Sequence, residues 1–155
     1  MSRELYFLRS SEQKIVTDMF KYAYPDKHDE ILKYTEFFGF TTKDLGLYAL
    51  VDNEIAGAIW SRQLTPNEVP TLSIAVLPKF NHSGIGTFMM EQFLQEAGAL
   101  YEEIKIDIST KPKAMRFYEK FNFLNSNGDF LLSKKLEKKE VFRPSDGYDP
   151  TRWMD

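Results

Sequence analysis

The stretch FNHSGIGTFMMEQF, residues 80–93, predicts a loop and then a helix, directly after an apolar run that ends at Pro78. Two of the eight glycines, Gly84 and Gly86, stand where apolar residues at helical spacing begin. The preceding run TLSIAVLP, residues 71–78, has almost no polar interruption, which is typical of a strand buried on both faces. The first amides of a helix have no internal partners, so this arrangement favours an anion site.

The glycine spacing alone leaves a second interpretation open, in which Gly84 and Gly86 only permit a tight strand-to-helix turn. A lone GxG is a weak signal, and the stretch is neither a Walker loop nor a full GxGxxG fingerprint. The surrounding sequence has to decide between the two.

Composition limits the classes of protein that this chain can be. A length of 155 residues fits one domain, and 43% hydrophobic with 28% charged residues is typical of a soluble globular protein. A net charge of −3 lacks the basic footprint of nucleic-acid binding, so we expect no nucleic-acid partner. No apolar run is long enough to cross a bilayer and the first residues lack a signal-peptide core, which predicts a cytoplasmic protein without a membrane partner.

Cysteine is absent, which excludes disulfides, thiolate metal sites and a covalent cysteine nucleophile. With only two histidines in the chain, we expect no metal site.

Hydrophobic periodicity predicts alternating strands and helices, and hence an α/β (α+β) fold with a mixed sheet. The predicted strands are residues 4–8, two runs within 46–64 around a turn at 52–53, 71–78, 102–109, and two runs within 123–136. The predicted helices are residues 12–23, 29–38, 84–100 and 112–121. We expect one domain over residues 1–136 and a docked tail over residues 137–155, which is polar but carries three aromatic residues.

Two motifs at compatible spacing resemble the GNAT family of N-acetyltransferases. AVLPKFNHSGIGTFMM has the shape V-x-P-x-aromatic-x-x-x-G-x-G-x-x-L/M, and AMRFYEKFNF has the shape A-x-x-F-Y-E-K-x-x-F. The detailed resemblance covers residues 72–124. It implies a mostly antiparallel sheet of about six or seven strands with splayed central strands, flanked by about four helices. It also implies acetyl-CoA as co-substrate and no metal.

The resemblance implies where the parts of acetyl-CoA would bind. Backbone amides around Gly84 and Gly86 would hold the pyrophosphate, and main-chain groups of the splayed strand would hold the pantetheine arm and thioester. One such amide at the thioester oxygen can contribute roughly 3 to 4 kcal/mol to the reaction. The implied cofactor-binding residues are Ile74, Val76, Asn81, His82, Ser83, Gly84, Ile85, Gly86, Thr87, Lys111 and Phe117.

Tyr118 matches the tyrosine that the family commonly uses to protonate the departing thiolate. A phenol with a pKa of about 10 stays protonated near neutrality, and the departing thiolate, whose thiol has a pKa of about 8.5, can accept its proton. The alternative is a helix tyrosine that only packs on the core. A base for the incoming amine is harder to find, since Glu36, Glu68 and Asp107 could each approach but each also fits a solvated surface charge.

Three positions depart from the family pattern. Asn81 stands where Gln or Arg is usual, which puts one pyrophosphate contact in doubt, and Lys111 stands where Asn is frequent. Asn122 replaces a glycine, a mild change because Asn tolerates the left-handed conformation.

The sequence therefore predicts an acetyl-CoA-dependent N-acetyltransferase acting on a primary amine of a small molecule or peptide. The alternative is a non-catalytic acyl-CoA-binding or interaction module with the same fold. Aromatic residues concentrated in the N-terminal half fit a core, a partly apolar acceptor pocket or a homodimer interface.

Overall fold

The computed structural model describes residues 2–25, 44–63, 67–109, 111–125 and 130–138. Its strands are β1 (Arg3–Phe7), β2 (Leu45–Val51), β3 (Glu54–Arg62), β4 (Thr71–Val76), β5 (Glu103–Asp107) and β6 (Leu131–Lys135). Its α-helices are α1 (Gln13–Ala23), α2 (Ile85–Ala97) and α3 (Met115–Glu119). Short 3-10 turns over Ser10–Glu12, Pro78–Phe80 and Pro112–Ala114 precede the three helices.

The strands form one six-stranded sheet in the order β1-β2-β3-β4-β5-β6. The β2–β3 hairpin turns at Asp52 and Asn53, whose φ values of 50° and 69° fit the primed turns that join two strands tightly. All neighbouring strands pair antiparallel except β4 and β5, which run parallel with α2 as the crossover.

Strands β4 and β5 separate soon after they meet, which opens a cleft in the middle of the sheet. Their paired register contains only Thr71 with Lys105, where the Lys105 amide donates to the Pro70 carbonyl at 3.0 Å. The remainder of β4 pairs with β3 alone, up to Gly57 opposite Val76.

Two hydrophobic cores lie on opposite faces of the sheet. Helix α1 covers one face with Val16 and Phe20 against Trp60 of β3. Helix α2 covers the other face with Met89 and Phe93, because its apolar residues recur at helical spacing. The cleft between β4 and β5 therefore lies between two separately packed layers.

Most of the sequence-based fold prediction is confirmed: a mixed, mostly antiparallel sheet with splayed central strands and flanking helices. The final hairpin, predicted over residues 123–136, agrees with the described residues on either side of its turn, since Leu124 pairs antiparallel with Ser133; residues 126–129 lie outside the described part of the chain. Residues 112–121 divide into a 3-10 turn and the short α3, and α2 ends at Ala97 rather than near residue 100. The predicted helix at 29–38 and most of the tail lie outside the described residues. No described helix is both long and apolar enough to cross a membrane.

Candidate active site

The turn between β4 and α2 presents the helix start to solvent. Gly84 caps α2 in the left-handed conformation, with φ at 81°, and its carbonyl accepts the Phe88 amide at 3.0 Å. The Phe88 amide makes the first hydrogen bond of the helix. The amides of Ile85, Gly86 and Thr87 come before it, so they have no partner within the helix. The helix dipole adds a partial positive charge of roughly half a unit at the same point.

Side chains around the turn fix its shape. The Ser83 hydroxyl donates to the Phe80 carbonyl, and the Arg3 guanidinium reaches from β1 to donate to the Ser83 carbonyl. The Arg3 guanidinium carbon also lies 6.0 Å from the centroid of the Phe88 ring. Lys79 is engaged elsewhere, since its ammonium pairs with the Glu54 carboxylate at 2.8 Å. Thus the Ser83 side chain stabilises the turn through a hydrogen bond within it, and Arg3 places a positive charge beside the turn.

Main-chain groups of β4 face the cleft. The Pro70 carbonyl points toward β5, and in an extended strand every second residue directs its amide and carbonyl to the same edge. The amides of Ile74 and Val76 therefore also point toward β5, beyond the place where the two strands pair. The Ile74 amide donates to the hydroxyl oxygen of Tyr24 over a long 3.4 Å.

A cavity of about 370 Å³ occupies the cleft. It extends from the start of α2 to the β4 main chain, and α1, β5 and the segment leading into α3 complete its walls. The residues that line it are Tyr22, Tyr24, Ile74, Ala75, Val76, Asn81, Gly86, Ile106, Asp107, Ile108, Lys111, Ala114, Phe117 and Tyr118.

Tyr118 lies on the cavity wall but is otherwise buried. Its ring packs edge-on against Phe117 at 5.2 Å and against Phe123 at 5.6 Å between centroids. Burial raises the pKa of its phenol well above 10, and the nearby Tyr24 phenol adds to this shift. Tyr118 is therefore a neutral hydroxyl at physiological pH, able to donate a proton. Phe117 lies between Tyr118 and the helix start, because an added Cβ at Gly86 would lie 3.5 Å from its ring.

Two charged residues line the cavity from the β5 side. Much of Lys111 is exposed, yet desolvation at the cavity wall lowers the pKa of its ammonium, which lies 5.4 Å from the Tyr24 ring centroid. The Asp107 carboxylate accepts a hydrogen bond from the Ser109 amide at 2.8 Å. Glu68 pairs with Lys105 and lines a different cavity near Tyr101, so its carboxylate lies away from this site.

The residues predicted as cofactor-binding fall into two sets. Ile74, Val76, Asn81, Gly86, Lys111, Phe117 and Tyr118 line the cavity. His82, Ser83, Gly84, Ile85 and Thr87 belong to the turn or the first helical turn beside it. His82 is exposed with φ at 61°, and the Ile85 side chain is buried in the core, so only its amide faces the turn. Glu36 lies outside the described residues.

Sequence reasoning treated Tyr24 only as one of several aromatic residues and overlooked Arg3. Both residues are far in sequence from the two motifs: Tyr24 directly follows the last residue of α1, and Arg3 is the first residue of β1. Neither belongs to a motif, so no local signal marks them. No group of three or more histidine, aspartate and glutamate residues able to hold a metal ion is found within the part of the chain that is described.

A sequence model of the acetyltransferase (GNAT) family matches residues 10–123, which is most of the chain. This chain belongs to the GNAT acetyltransferase family. The matched region of this GNAT protein begins before α1 and ends after α3, so it contains the cavity and both motifs. Among curated protein sequences, none matches the chain significantly.

Solved structures share the fold of this GNAT protein at low sequence identity. A GNAT-family acetyltransferase from Streptococcus pneumoniae superposes with a TM-score of 0.66 at 13% identity, covering 87% of this chain and 100% of that one. The PaiA N-acetyltransferase from Thermoplasma acidophilum, solved in complex with coenzyme A, gives 0.60 at 18% identity over 87% and 99%. YncA, a putative acetyltransferase from Salmonella typhimurium solved with acetyl-CoA, gives 0.67 at 12% identity over 92% and 99%.

Proposed function

We propose that this protein is an acetyl-CoA-dependent N-acetyltransferase, which moves an acetyl group directly from the thioester to a primary amine of a small molecule or peptide. A single observation supports this most strongly: the start of α2, the β4 main chain in the cleft, and the neutral phenol of Tyr118 border one cavity. Two solved neighbours contain coenzyme A or acetyl-CoA, which supports the choice of donor.

The residues present fit acetyl-CoA. Pyrophosphate would accept hydrogen bonds from the amides of Gly86 and its neighbours at the helix start. The pantetheine arm would run along the Val76 side of the cleft, with Phe117 against it. The Ile74 amide would donate to the thioester oxygen. Acetyl-CoA supplies an activated acyl group, and the protein supplies binding, orientation and a proton.

The transfer balances with these groups. The amine nitrogen bonds to the acyl carbon while the carbon–sulfur bond breaks, and Tyr118 donates a proton to the departing sulfur. The amine loses one proton, and Tyr118 regains one from solvent, so no covalent enzyme intermediate is required. An alkylammonium of pKa about 10.4 costs roughly 4 to 5 kcal/mol to deprotonate at pH 7, so a base should lie near the amine. Among the described residues, Asp107 is the carboxylate that lines the cavity.

The donor and the acceptor would approach from opposite faces of the sheet. The turn and Tyr118 belong to the layer of α2 and α3, whereas Tyr22 and Tyr24 come from α1 on the other face. The cleft between β4 and β5 connects the layers. We propose that residues 1–136 form the catalytic domain and that the tail over residues 137–155 docks on it. We also propose that the protein forms a homodimer.

The test is binding followed by transfer. Acetyl-CoA at 100 times its dissociation constant should raise the free energy of unfolding by about 2.7 kcal/mol, which a thermal-shift assay detects. A screen of amines, including amino acids, polyamines and peptides, then measures free thiol released by amine-dependent transfer. Failure to bind acetyl-CoA would overturn the proposal. Binding without transfer to any amine would favour the non-catalytic acyl-CoA-binding module. The presence of Asn81, where the family usually has Gln or Arg, gives this alternative some weight.

A further inference from the structure

The Tyr24 hydroxyl lies beside a main-chain amide to which the proposed reaction brings the substrate. Its oxygen is the acceptor for the Ile74 amide, the same amide that would donate to the thioester oxygen. The 3.4 Å separation is longer than the usual 2.9 to 3.0 Å of an N–H···O bond, so the amide is only weakly engaged. A better acceptor placed closer to the nitrogen would take over this hydrogen bond.

The Tyr24 side chain is held where it is by its ring. The ring packs against Phe20 with centroids 5.1 Å apart, and the Lys111 ammonium lies over it at 5.4 Å. Only 7% of Tyr24 is exposed, so the phenol has little freedom to leave the cavity. When an oxygen of the substrate accepts from the Ile74 amide, the phenol therefore stays beside that oxygen.

A phenol beside a carbonyl oxygen has one favourable arrangement, since its O–H is a donor and the carbonyl oxygen accepts two hydrogen bonds. Because the proposed function brings a thioester to this amide, we propose that Tyr24 is a second hydrogen-bond donor to the thioester oxygen, and with Ile74 forms the site where negative charge develops. This inference rests on the proposed function and adds a side-chain donor that neither motif contains.

Tyr24 and Tyr118 would then have different tasks on the two faces of the cleft. Tyr118 gives its proton to sulfur, whereas Tyr24 keeps its proton and shares it with oxygen. Their closeness is reflected in the effect of the Tyr24 phenol on the Tyr118 pKa.

The test uses Tyr24→Phe, which removes the hydroxyl and retains the ring and its contacts. Tyr101→Phe is the control, because Tyr101 is likewise a buried tyrosine but lines the second cavity. The readout is the infrared C=O stretch of acetyl-CoA labelled with ¹³C at the carbonyl, bound to the full chain without an amine. A polarising donor lowers this frequency, and a merely structural tyrosine does not affect it.

We expect the bound carbonyl stretch to move back toward its value in free acetyl-CoA in Tyr24→Phe and to stay unchanged in Tyr101→Phe. Where an amine acceptor is found, kcat should fall by about 100-fold in Tyr24→Phe, as for loss of one donor at a developing oxyanion. Tyr24→Phe should bind free coenzyme A, which has no acyl oxygen, as the wild type does.

An unchanged stretch in Tyr24→Phe would overturn the inference. So would tighter binding of acetyl-CoA by this variant, since it would show that the Tyr24 hydroxyl only competes for the Ile74 amide. If the wild-type protein binds no acetyl-CoA, the proposed function itself fails, a result distinct from a bound carbonyl that ignores Tyr24.

Discussion

Gly86 and Phe117 face each other at the wall of the cavity, although each belongs to a different sequence motif. A Cβ added at Gly86 would lie 3.5 Å from Cε1 and Cζ of the Phe117 ring and 3.9 Å from Cγ2 of Val76. The first motif provides the start of α2 and the second provides the ring beside it. Their spacing along the chain thus corresponds to one wall of the candidate site, with Tyr118 next in line.

This contact predicts a graded response to side chains at Gly86. Gly86→Ala should fold normally and bind acetyl-CoA within a few-fold of wild type, because 3.5 Å is an ordinary van der Waals distance. Gly86→Val places branched methyl groups into the space between Phe117 and Val76, so we expect at least a 10-fold loss of affinity, measured by calorimetry. Equal affinities for the two variants would show that coenzyme A does not pass this point.

A side chain at Gly84 should strain the backbone conformation rather than clash with neighbouring atoms. Its φ of 81° is left-handed, and the nearest atom to an added Cβ is Arg3 Nη1 at 3.6 Å. Gly84→Ala should therefore lower the free energy of unfolding by about 1 to 2 kcal/mol through strain, whereas Gly84→Asn should cost less, because Asn tolerates this conformation. Urea denaturation of both variants checks the order. Alanine as stable as wild type would mean that the turn adopts another conformation.

Tyr118→Phe should separate catalysis from binding. The phenyl ring keeps the contacts with Phe117 and Phe123, so the affinity for acetyl-CoA should stay within about twofold, while transfer to an amine slows by about 100-fold. Because the Tyr118 pKa is raised well above 10, the deficit should be the same from pH 7 to pH 9. Tyr101→Phe, far from the cavity, serves as control. Undiminished transfer by Tyr118→Phe would remove its assigned role.

The raised pKa of the Tyr101 phenol predicts that the protein loses stability in alkaline solution. Burial raises this pKa to about 12, and the Tyr101 hydroxyl lies 3.0 Å from that of Ser61. Between pH 10 and 12 the unfolded chain loses this proton while the folded chain keeps it, so the free energy of unfolding falls as pH rises. One such group contributes a slope of up to about 1.4 kcal/mol per pH unit.

Tyr101→Phe should be less stable than wild type at pH 8, because it leaves the Ser61 hydroxyl without this partner, yet lose less stability between pH 10 and 12. Tyr118 contributes in the same direction in both proteins, so the wild-type decline should shrink without vanishing. Denaturant titrations at pH 8, 10 and 11 measure it. Identical declines in the two proteins would place the alkaline transition elsewhere.

Local patterns carried much of the fold prediction. Asp52 with Asn53 marked the hairpin, the unbroken apolar run marked β4, and apolar spacing after Gly84 marked α2. The turn predicted after Leu124 marked the final hairpin, in which Leu124 pairs antiparallel with Ser133. The division of residues 112–121 into a 3-10 turn and the short α3 was not predicted.

The site was predictable only where it lies in motifs. Gly86, Phe117 and Tyr118 do, and they border one cavity. Tyr24 does not, because its place at the Ile74 amide depends on how α1 packs over the β4 strand, a long-range outcome of the fold. Arg3 is likewise brought to the turn by the pairing of β1 with β2.

We propose that amides at the start of α2 and in the cleft hold acetyl-CoA. Titration of ¹⁵N-labelled protein with acetyl-CoA tests this binding mode, with amide shifts followed residue by residue. We expect the largest shifts at Gly84, Ile85, Gly86 and Thr87 and at Ile74, and small shifts around the second cavity near Tyr101. No shift in the turn at millimolar acetyl-CoA, or shifts confined to the Tyr101 side of the sheet, would contradict the claim.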